Sequence, residues 1–351
     1  MKIDVLIVGQ GLAGSLLAWQ LIKQKFRVLV IDDVAENASQ VAAGLINPIS
    51  GQRLFKSDEV DSLLPAALNC YQLLSAQFQQ DFFVPLPMLR VLRTDRELQR
   101  ATARLVQPDY QAYLQDVQAQ SSAVNSSFGV LRQLQTGYLR TRLLLDQLRR
   151  FLIAEQSYLA SQFDYSELLF QPQLQWRHYL PRQIVFCEGY KARRNPWFSR
   201  LPFQLVKGEI ISCETTALST KQIINFGNWL IPLDNQRCRI GANYNTAELD
   251  QQTTASVASQ LLVSALQVCP QRYPLHIYQH QAGVRPATLD KQPFIGRHPV
   301  LTQLHIFNGF GSKGSLAIPW YAQRMVDFLV GQQSLPTQSN IQRFYGTHFS
   351  C

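Results

Sequence analysis

The chain has 351 residues, of which 46% are hydrophobic, and its formal net charge is +9 at neutral pH. This length and composition exclude a small disulfide-stabilised protein and favour a globular core large enough to divide into two domains. Because no apolar run reaches the roughly 18 residues of a spanning helix and no targeting segment is recognisable, we expect no stable membrane insertion and a cytoplasmic location.

The first predicted elements are a buried strand at residues 4–8, a glycine turn, a helix and a second strand at residues 27–32. Gly9, Gly11 and Gly14 have the spacing of a dinucleotide-binding fingerprint. The first glycine permits the tight turn, the second lets backbone amides approach a pyrophosphate, and the third lets the helix pack closely on the strands. The sequence therefore predicts that a dinucleotide binds at this helix N-terminus.

An acidic residue completes this pattern about twenty residues further on, where the second strand ends. The carboxylate of Asp32 can accept hydrogen bonds from both hydroxyl groups of a ribose. The cofactor-binding residues expected in this part of the chain are Gly9, Gly11, Leu12, Ala13, Gly14, Asp32, Asp33 and Ser39.

The middle of the chain mixes helices with antiparallel strands. Small residues are frequent at 37–51, where they permit close backbone approach to a flat group. Apolar stripes at helical spacing predict helices over 62–78 and 137–156. Alternation around two prolines indicates edge strands at 82–93, and the polar residues 97–125 indicate helical or loose structure. Strands are also predicted at 183–189, 207–213, 222–226, 228–232 and 238–244, and a helix at 253–268.

The C-terminal region contains two further motifs. Residues 283–286 read Gly-Val-Arg-Pro, and residues 304–308 are predicted as a strand that enters a glycine-rich loop at 309–314 and then a helix. Such a loop offers backbone amides and a helix dipole to an anion, which suits the carbonyl end of a reduced flavin ring.

The six cysteines form no C-x-x-C pair, and among the six histidines only His276 and His280 have an H-x-x-x-H spacing. We therefore expect no metal site and no disulfide framework, and interpret the cysteines as reduced core residues. The positive net charge indicates attraction for anionic ligands, and RNA stays open as a partner.

Taken in order, these segments resemble the D-amino acid oxidase superfamily of FAD-dependent oxidoreductases. The pattern is similar to glycine oxidase and to the FAD domain of the bacterial enzyme that makes methylaminomethyl-thiouridine in tRNA. The resemblance runs nearly end to end and rests on the fingerprint and on residues 42–44, 206–209, 230–232, 240–242, 283–286, 293–296 and 309–314.

The resemblance implies a role for each motif. Arg285 matches the arginine that binds a substrate carboxylate, a task for which a guanidinium offers bidentate hydrogen bonds and a permanent charge. Lys313 would steady the reduced flavin or assist its reaction with oxygen, although an exposed loop lysine explains it equally well. Because no cysteine accompanies the glycine loop, the FAD is expected to be noncovalent. The other implied FAD contacts are Ala42, Ala43, Gly44, Gly189, Gly309, Gly311, Ser312, Lys313 and Gly314.

The fold class that the resemblance implies is α/β, or α+β overall: a Rossmann-like FAD-binding domain interwoven with a second domain on a mainly antiparallel sheet. The expected FAD-binding domain comprises residues 1–81, 136–205 and 282–351. The expected substrate domain comprises residues 82–135 and 206–281. Residue 287 is alanine where glycine oxidases have glycine, which weakens an assignment to glycine as the substrate.

The expected function is oxidation of the C–N bond of an amino acid or N-substituted glycine, by hydride transfer to FAD with oxygen as the acceptor. Two alternatives stay open. In the first, the enzyme removes a carboxymethyl group from carboxymethylaminomethyl-uridine in tRNA, although the methyltransferase half of the tRNA enzyme is absent. In the second, the chain is a flavin dehydrogenase with another acceptor, or a flavin-binding protein without turnover. The sequence leaves the oligomeric state open.

Overall fold

The structure is a computed structural model that describes residues 1–56, 59–215, 221–234, 236–269 and 274–349. Its α-helices are α1 Leu12–Lys23, α2 Ala38–Val41, α3 Val60–Phe78, α4 Asp95–Leu105, α5 Thr141–Ala154, α6 Ala255–Val268, α7 Gly314–Leu329 and α8 Tyr345–His348. Short 3-10 helices cover Pro108–Tyr110, Tyr165–Glu167, Gly189–Arg194 and Ile341–Phe344.

The strands in chain order are β1 Lys2–Val8, β2 Val28–Asp32, β3 Leu45–Ile46, β4 Ile49–Ser50, β5 Phe55–Lys56, β6 Phe83–Pro85, β7 Met88–Val91, β8 Leu114–Gln118, β9 Val130–Gln133, β10 Gly137–Leu139, β11 Tyr158–Ala160, β12 Leu168–Leu169, β13 Gln175–Trp176, β14 Leu180–Phe186, β15 Phe203–Glu214, β16 Ile223–Asn225, β17 Trp229–Pro232, β18 Arg237–Gly241, β19 His276–Thr288, β20 Phe294–Arg297 and β21 Leu304–Asn308. This mixture of parallel and antiparallel sheets with helices confirms the expected fold class.

The chain divides into two compact units. The first unit comprises Met1–Gln40, Thr141–Val206 and Val284–Cys351, and the second comprises Val41–Arg140 and Lys207–Gly283. Residues 41–81, which the sequence analysis placed in the FAD-binding domain, therefore lie in the second unit. The assignment of FAD binding and substrate binding to particular segments stays a prediction.

A six-stranded sheet forms the centre of the first unit, with the strand order β11-β2-β1-β14-β21-β20. All neighbouring pairs are parallel except β20 and β21, which are antiparallel. Strand β2 is buried along its whole length and consists almost entirely of apolar residues, as is typical of a parallel strand covered on both faces. Because parallel strands share their direction, β1, β2, β14 and β21 end at one edge of this sheet.

An eight-stranded sheet forms the centre of the second unit, with the order β19-β15-β18-β17-β16-β7-β9-β8. It is mainly antiparallel, and the pair β16 and β7 is parallel. One face packs on α6 through Ile211, Cys213, Cys238 and Ile240. A separate three-stranded sheet has the order β3-β10-β6.

Three predicted elements differ in the structure. Edge strands were predicted at 82–93, but β7 lies inside the eight-stranded sheet, between β16 and β9. The predicted helix 137–156 begins only at Thr141, because residues 137–139 pair with β6 and β3 as strand β10. Sheet pairing thus overrides the local apolar pattern there. Within 97–125, α4 ends at Leu105 and residues 114–118 form a strand paired with β9.

Three observations concern the described residues alone. No helix among them is both long and apolar enough to cross a bilayer. No group of histidine, cysteine and acidic side chains among them is placed to hold a metal ion. The cysteines in these ranges are buried reduced thiols, namely Cys70, Cys187, Cys213, Cys238 and Cys269.

Candidate functional site

Two glycines of the turn after β1 leave no room for a side chain. Gly9 has a φ of +102°, and a Cβ atom there would lie 2.6 Å from the carbonyl oxygen of Cys187. A Cβ atom at Gly14 would lie 2.0 Å from the carbonyl oxygen of Gly9. These contacts set the start of α1 directly against the ends of β1 and β14, as the fingerprint predicts.

The N-terminus of α1 suits an anion. Its N-cap residue, Gly11, has no side chain that could cap the helix, and its first turn contains no acidic residue. The Leu12 N–H donates to Ser39 Oγ at 3.2 Å, and Ala13 and Gly14 continue the first turn. Amide groups of a first helical turn have no intrahelical acceptor, and the helix dipole adds partial positive charge. Both properties favour a pyrophosphate at this position.

Asp32 ends β2 at the same edge of the sheet and is only 8% exposed. Its Oδ1 accepts from the Gln10 N–H at 2.9 Å, and its Oδ2 accepts from the Val34 N–H at 3.0 Å. Each carboxylate oxygen has a further lone pair, so the fixed carboxylate could still accept from a ribose hydroxyl. Asp33 instead forms an ion pair of 2.5 Å with Lys191.

Gln10 and Arg149 were missed by the sequence analysis. Arg149 on α5 donates from Nε to Gln10 Oε1 at 2.8 Å, and its Nη2 lies 3.8 Å from Asp32 Oδ2. The Gln10 amide also donates to Ser15 Oγ at 2.9 Å. In the sequence, the only sign of this contact is a glutamine at a variable position of the fingerprint. Its arginine partner can be identified only from the structure.

Asn308 was also missed by the sequence analysis. It connects the end of β21 to the turn that follows β14. Its Nδ2 donates to the carbonyl oxygen of Gly189 at 2.9 Å, and its Oδ1 accepts from the Gly309 N–H at 2.8 Å. Asn308 therefore fixes the start of the glycine loop relative to Gly189. An asparagine directly before a glycine-rich loop was a signal that could have been read from the sequence.

Glu188 lies beside this connection, at the end of β14. Burial raises the pKa of its carboxyl group to about 7, against hydrogen bonds that favour the charged form. Those bonds come from the hydroxyl of Tyr165 and from Asn195 Nδ2, the latter at 2.8 Å. A carboxyl group that titrates near neutral pH thus lies next to the glycine turn, where a Cβ at Gly9 would be 3.5 Å from Glu188 Cα.

The second glycine-rich loop packs against the end of β19. The Gly311 N–H donates to the carbonyl oxygen of Pro286 at 3.1 Å, and a Cβ at Gly309 would lie 2.8 Å from Thr288 Cγ2. The half-buried Arg285 directly precedes Pro286 on this strand. The structure therefore brings Arg285 and the glycine loop together, as the sequence motifs predict.

The loop ends at the N-terminus of α7. Ser312 and Lys313 are exposed, Lys313 is the N-cap, and the helix begins at Gly314. No side-chain hydrogen bond caps this helix, and its first turn contains no acidic residue. This end is a second place in the first unit that favours an anionic or electron-rich group.

The remaining predicted cofactor contacts, Ala42, Ala43 and Gly44, belong to the second unit. Gly44 has a φ of +70°, and a Cβ there would lie 2.0 Å from the carbonyl oxygen of Leu139. The carbonyl oxygen of Ala42 accepts from Arg239 Nη1 at 3.0 Å. A glycine is thus required at position 44 by its close approach to the backbone of Leu139. The expected approach of this segment to a flat group stays a prediction.

The residues of the first unit fit an FAD molecule on several independent grounds. Gly9 and Gly14 leave no room for a Cβ atom, the N-cap of the helix that follows is a glycine without a capping side chain, and the Asp32 carboxylate is fixed nearby. Gly9, Gly11, Leu12, Ala13, Gly14, Asp32, Ser39 and Gly189 would hold its nucleotide half, and Gly309, Gly311, Ser312, Lys313 and Gly314 would face its flavin half. These individual contacts stay predictions.

Similarity to known proteins supports FAD as the cofactor. The sequence profile of the family described as FAD dependent oxidoreductase, or DAO, matches residues 4–328. Glycine oxidase of Bacillus licheniformis is 28% identical over 130 residues, which are 37% of this chain and 35% of that protein. The curated relatives are therefore matched over only about a third of their length.

Two solved structures have the same fold. Glycine oxidase from Geobacillus kaustophilus matches with a TM-score of 0.81 at 19% identity, covering 95% of this chain and 96% of that chain. Iminodiacetate oxidase from Chelativorans sp. BNC1 matches with a TM-score of 0.78 at 19% identity, covering 97% of this chain and 98% of that chain. At these identities the similarity establishes the fold.

Proposed function

Because this chain belongs to the DAO family of FAD-dependent oxidoreductases, we propose that it oxidises the C–N bond of an amino acid or N-substituted glycine. When bound, FAD supplies the acceptor for the hydride that leaves the substrate carbon. Water would then hydrolyse the imine, and oxygen would be the final electron acceptor. Relatives named glycine oxidase and iminodiacetate oxidase favour a substrate that carries both an amine and a carboxylate.

One observation carries this proposal: Arg285 lies on the strand whose Pro286 carbonyl accepts from Gly311. A guanidinium beside the proposed flavin loop would bind a substrate carboxylate and thereby orient the neighbouring C–H bond. Lys313 lies in the same loop and would supply a positive charge near the electron-rich reduced cofactor. FAD would be held without a covalent bond.

The test of Arg285 is kinetic. Substitution Arg285→Met should lower kcat/KM for a carboxylate-bearing amine by about a hundredfold, because a charge-assisted pair contributes roughly 1.5–3 kcal/mol. Arg297→Met, which removes an exposed arginine on β20, is the matched control and should leave kcat/KM unchanged. A change of less than about threefold for Arg285→Met, roughly 0.7 kcal/mol or less, would exclude the carboxylate role.

A panel of amino acids and amines identifies the substrate and acceptor. The purified yellow holoenzyme should lose its oxidised-flavin absorbance anaerobically with at least one amine, and air should restore that absorbance with release of hydrogen peroxide. Reduction by an amine without reoxidation by air would favour a dehydrogenase with another acceptor. Persistent oxidised absorbance with every candidate would favour a flavin-binding protein without turnover.

A second candidate substrate is tRNA that carries carboxymethylaminomethyl-uridine, because this side chain is itself an N-substituted glycine. The net charge of +9 favours an anionic partner of this kind. Nucleoside mass spectrometry of tRNA from a deletion strain would show accumulation of the carboxymethylated nucleoside. An unchanged modification profile would exclude this role.

A further inference from the structure

Nearly all of the net positive charge of the chain lies in the first unit. That unit has 19 basic and 11 acidic residues, a net charge of +8, whereas the second unit has 14 basic and 13 acidic residues. Within the first unit, residues 189–200, which we call the basic segment, contain four basic residues and no acidic one. The basic segment follows β14, at the edge of the sheet where the glycine turn lies.

Three arginines of the basic segment have exposed side chains, namely Arg193, Arg194 and Arg200. Among the described residues, none of these three guanidinium groups pairs with a carboxylate. Other exposed arginines of the first unit do pair with carboxylates, namely Arg27, Arg142 and Arg177. The basic segment therefore presents positive charge that no acidic side chain of the described residues neutralises.

The backbone that carries these arginines is held by a buried asparagine. Asn195 is 0% exposed, and its Oδ1 accepts from the N–H groups of Trp197 and Phe198 at 2.9 and 3.2 Å. Its Nδ2 donates to Glu188 Oε2 at 2.8 Å. Ala192 is also buried. Buried residues thus lie on both sides of the adjacent arginine pair, and the guanidinium groups extend from a fixed backbone into solvent.

The composition of the basic segment fits RNA better than a membrane surface. Guanidinium groups bind phosphates through two parallel hydrogen bonds, and neighbouring arginines can reach successive phosphates of one strand. The rings of Tyr190 and Trp197 are half-buried, and the Arg193 guanidinium lies 6.0 Å from the centre of the Tyr190 ring. Unpaired RNA bases stack on aromatic rings and on guanidinium planes. Membrane insertion needs exposed apolar side chains, and residues 189–200, all of them described, expose no large one.

We propose that the basic segment is an RNA-binding surface on which Arg193, Arg194 and Arg200 contact phosphate groups. The aromatic rings of the segment lie where unpaired bases can stack on them. The proposal rests on the second candidate function, because an enzyme that acts on tRNA needs a surface that holds its phosphate backbone. The segment begins at Gly189, whose carbonyl oxygen accepts from Asn308 at the start of the glycine loop. RNA bound there is therefore held by the unit that is proposed to hold FAD.

The experiment measures the affinity of the holoenzyme for an unmodified tRNA transcript by fluorescence anisotropy at several salt concentrations. The variant Arg193→Gln/Arg194→Gln/Arg200→Gln should bind at least tenfold more weakly than the wild type at about 50 mM salt, because three phosphate contacts are lost. The slope of log affinity against log salt concentration should become shallower by about 2, since each contact contributes roughly 0.7–0.9. Flavin absorbance of every variant reports whether it folds and holds FAD.

A matched control removes the same charge elsewhere in the first unit. The variant Arg150→Gln/Arg182→Gln/Arg297→Gln lacks three exposed arginines outside the basic segment. It should keep the wild-type affinity and salt slope. If this control loses as much affinity as the variant of the basic segment, general charge attraction explains RNA binding and the proposal is wrong.

A charge-conserving variant keeps the test decisive if the glutamine variant fails to fold. Replacing the same three arginines of the basic segment by lysine should give an affinity between those of the wild type and the glutamine variant, because an ammonium keeps the charge but loses the fork of two parallel donors. Wild-type affinity in both variants of the segment, or no binding of the transcript by the wild type, would overturn the proposal. Binding to vesicles that contain phosphatidylserine but not to the transcript would assign the segment to membranes instead.

The nucleoside analysis of the deletion strain separates this proposal from the second candidate function. If the tRNA modification profile is unchanged while the glutamine variant loses RNA binding, the tRNA function fails and the RNA-binding surface stands. If the profile changes and the glutamine variant restores it with wild-type RNA affinity, the surface fails and the tRNA function stands.

Discussion

The Nε group of Arg149 donates to Oε1 of Gln10 at 2.8 Å, and the Gln10 N–H donates to Asp32 Oδ1 at 2.9 Å. The ring closes through Arg149 Nη2, which lies 3.8 Å from Asp32 Oδ2. Helix α5, the glycine turn and the end of β2 are therefore joined by one set of polar contacts. The buried carboxylate that we assign to the ribose is held by a residue more than a hundred positions away.

Arg149→Met should weaken FAD binding by about tenfold, or roughly 1.4 kcal/mol, because Asp32 and Gln10 lose the group that orients them. The measurement is a titration of FAD into protein freed of cofactor, followed by fluorescence. ADP should occupy only the part of the site that binds the nucleotide half of FAD. The affinity of Arg149→Met for ADP should therefore fall by a similar factor.

Arg150→Met is the matched control for this prediction. Arg150 is the next residue on α5, is exposed, and contacts Gln147 at 3.3 Å. FAD and ADP should bind this variant as they bind the wild type. Equal affinities of the wild type and Arg149→Met for ADP would show that the ring of contacts does not act on the nucleotide.

Gly14→Ala tests the steric argument at the glycine turn. The added Cβ would lie 2.0 Å from the Gly9 carbonyl oxygen, so α1 must move away from the strands. We expect a loss of unfolding free energy of about 1–3 kcal/mol, typical of overpacking, together with weaker FAD binding. Denaturant unfolding and FAD titration measure the two effects.

Gly346→Ala provides the comparison, because a Cβ there meets no atom within 4 Å. Its unfolding free energy and FAD affinity should equal those of the wild type. If Gly14→Ala also retained both values, the close approach at Gly14 would not be required for the turn.

The sequence predicted those parts of the site that depend on backbone sterics. Gly9 and Gly14 were identified because glycine spacing reports directly on turns and close contacts, and the structure shows those close contacts. Asp32 was identified from its distance to the glycine turn, since strand and helix lengths in this motif vary little.

The rest depends on contacts between distant segments, which local patterns do not encode. Arg149 and Arg239 look like ordinary helix and strand arginines until their partners Gln10 and Ala42 are seen beside them. Contacts between distant segments also decide the secondary structure of residues 137–139. Their apolar spacing favours a helix, but pairing with β6 and β3 makes them strand β10.

His305 gives a prediction about pH. This residue on β21 is 3% exposed, and among the described residues neither ring nitrogen has a hydrogen-bond partner. Burial, with a smaller contribution from the charge of Arg297, lowers the pKa of its imidazole to about 3. The imidazole therefore stays neutral in the folded protein, whereas in the unfolded chain it takes up a proton near pH 6.5.

The sign follows from proton linkage: below pH 6.5 the unfolded chain binds the proton that the folded protein refuses, so stability falls as the pH falls. Between pH 7 and pH 5 the contribution of His305 should be a loss of about 2 kcal/mol. The raised pKa of Glu188 acts in the opposite direction over this range, because the folded protein then takes up a proton. In denaturant unfolding of the holoenzyme, the change in unfolding free energy from pH 7 to pH 5 should therefore be about 2 kcal/mol less favourable in the wild type than in His305→Leu. His276→Leu, which removes an exposed histidine on β19, should keep the wild-type difference. Identical pH dependence in wild type and His305→Leu would mean that the buried imidazole does not control acid stability.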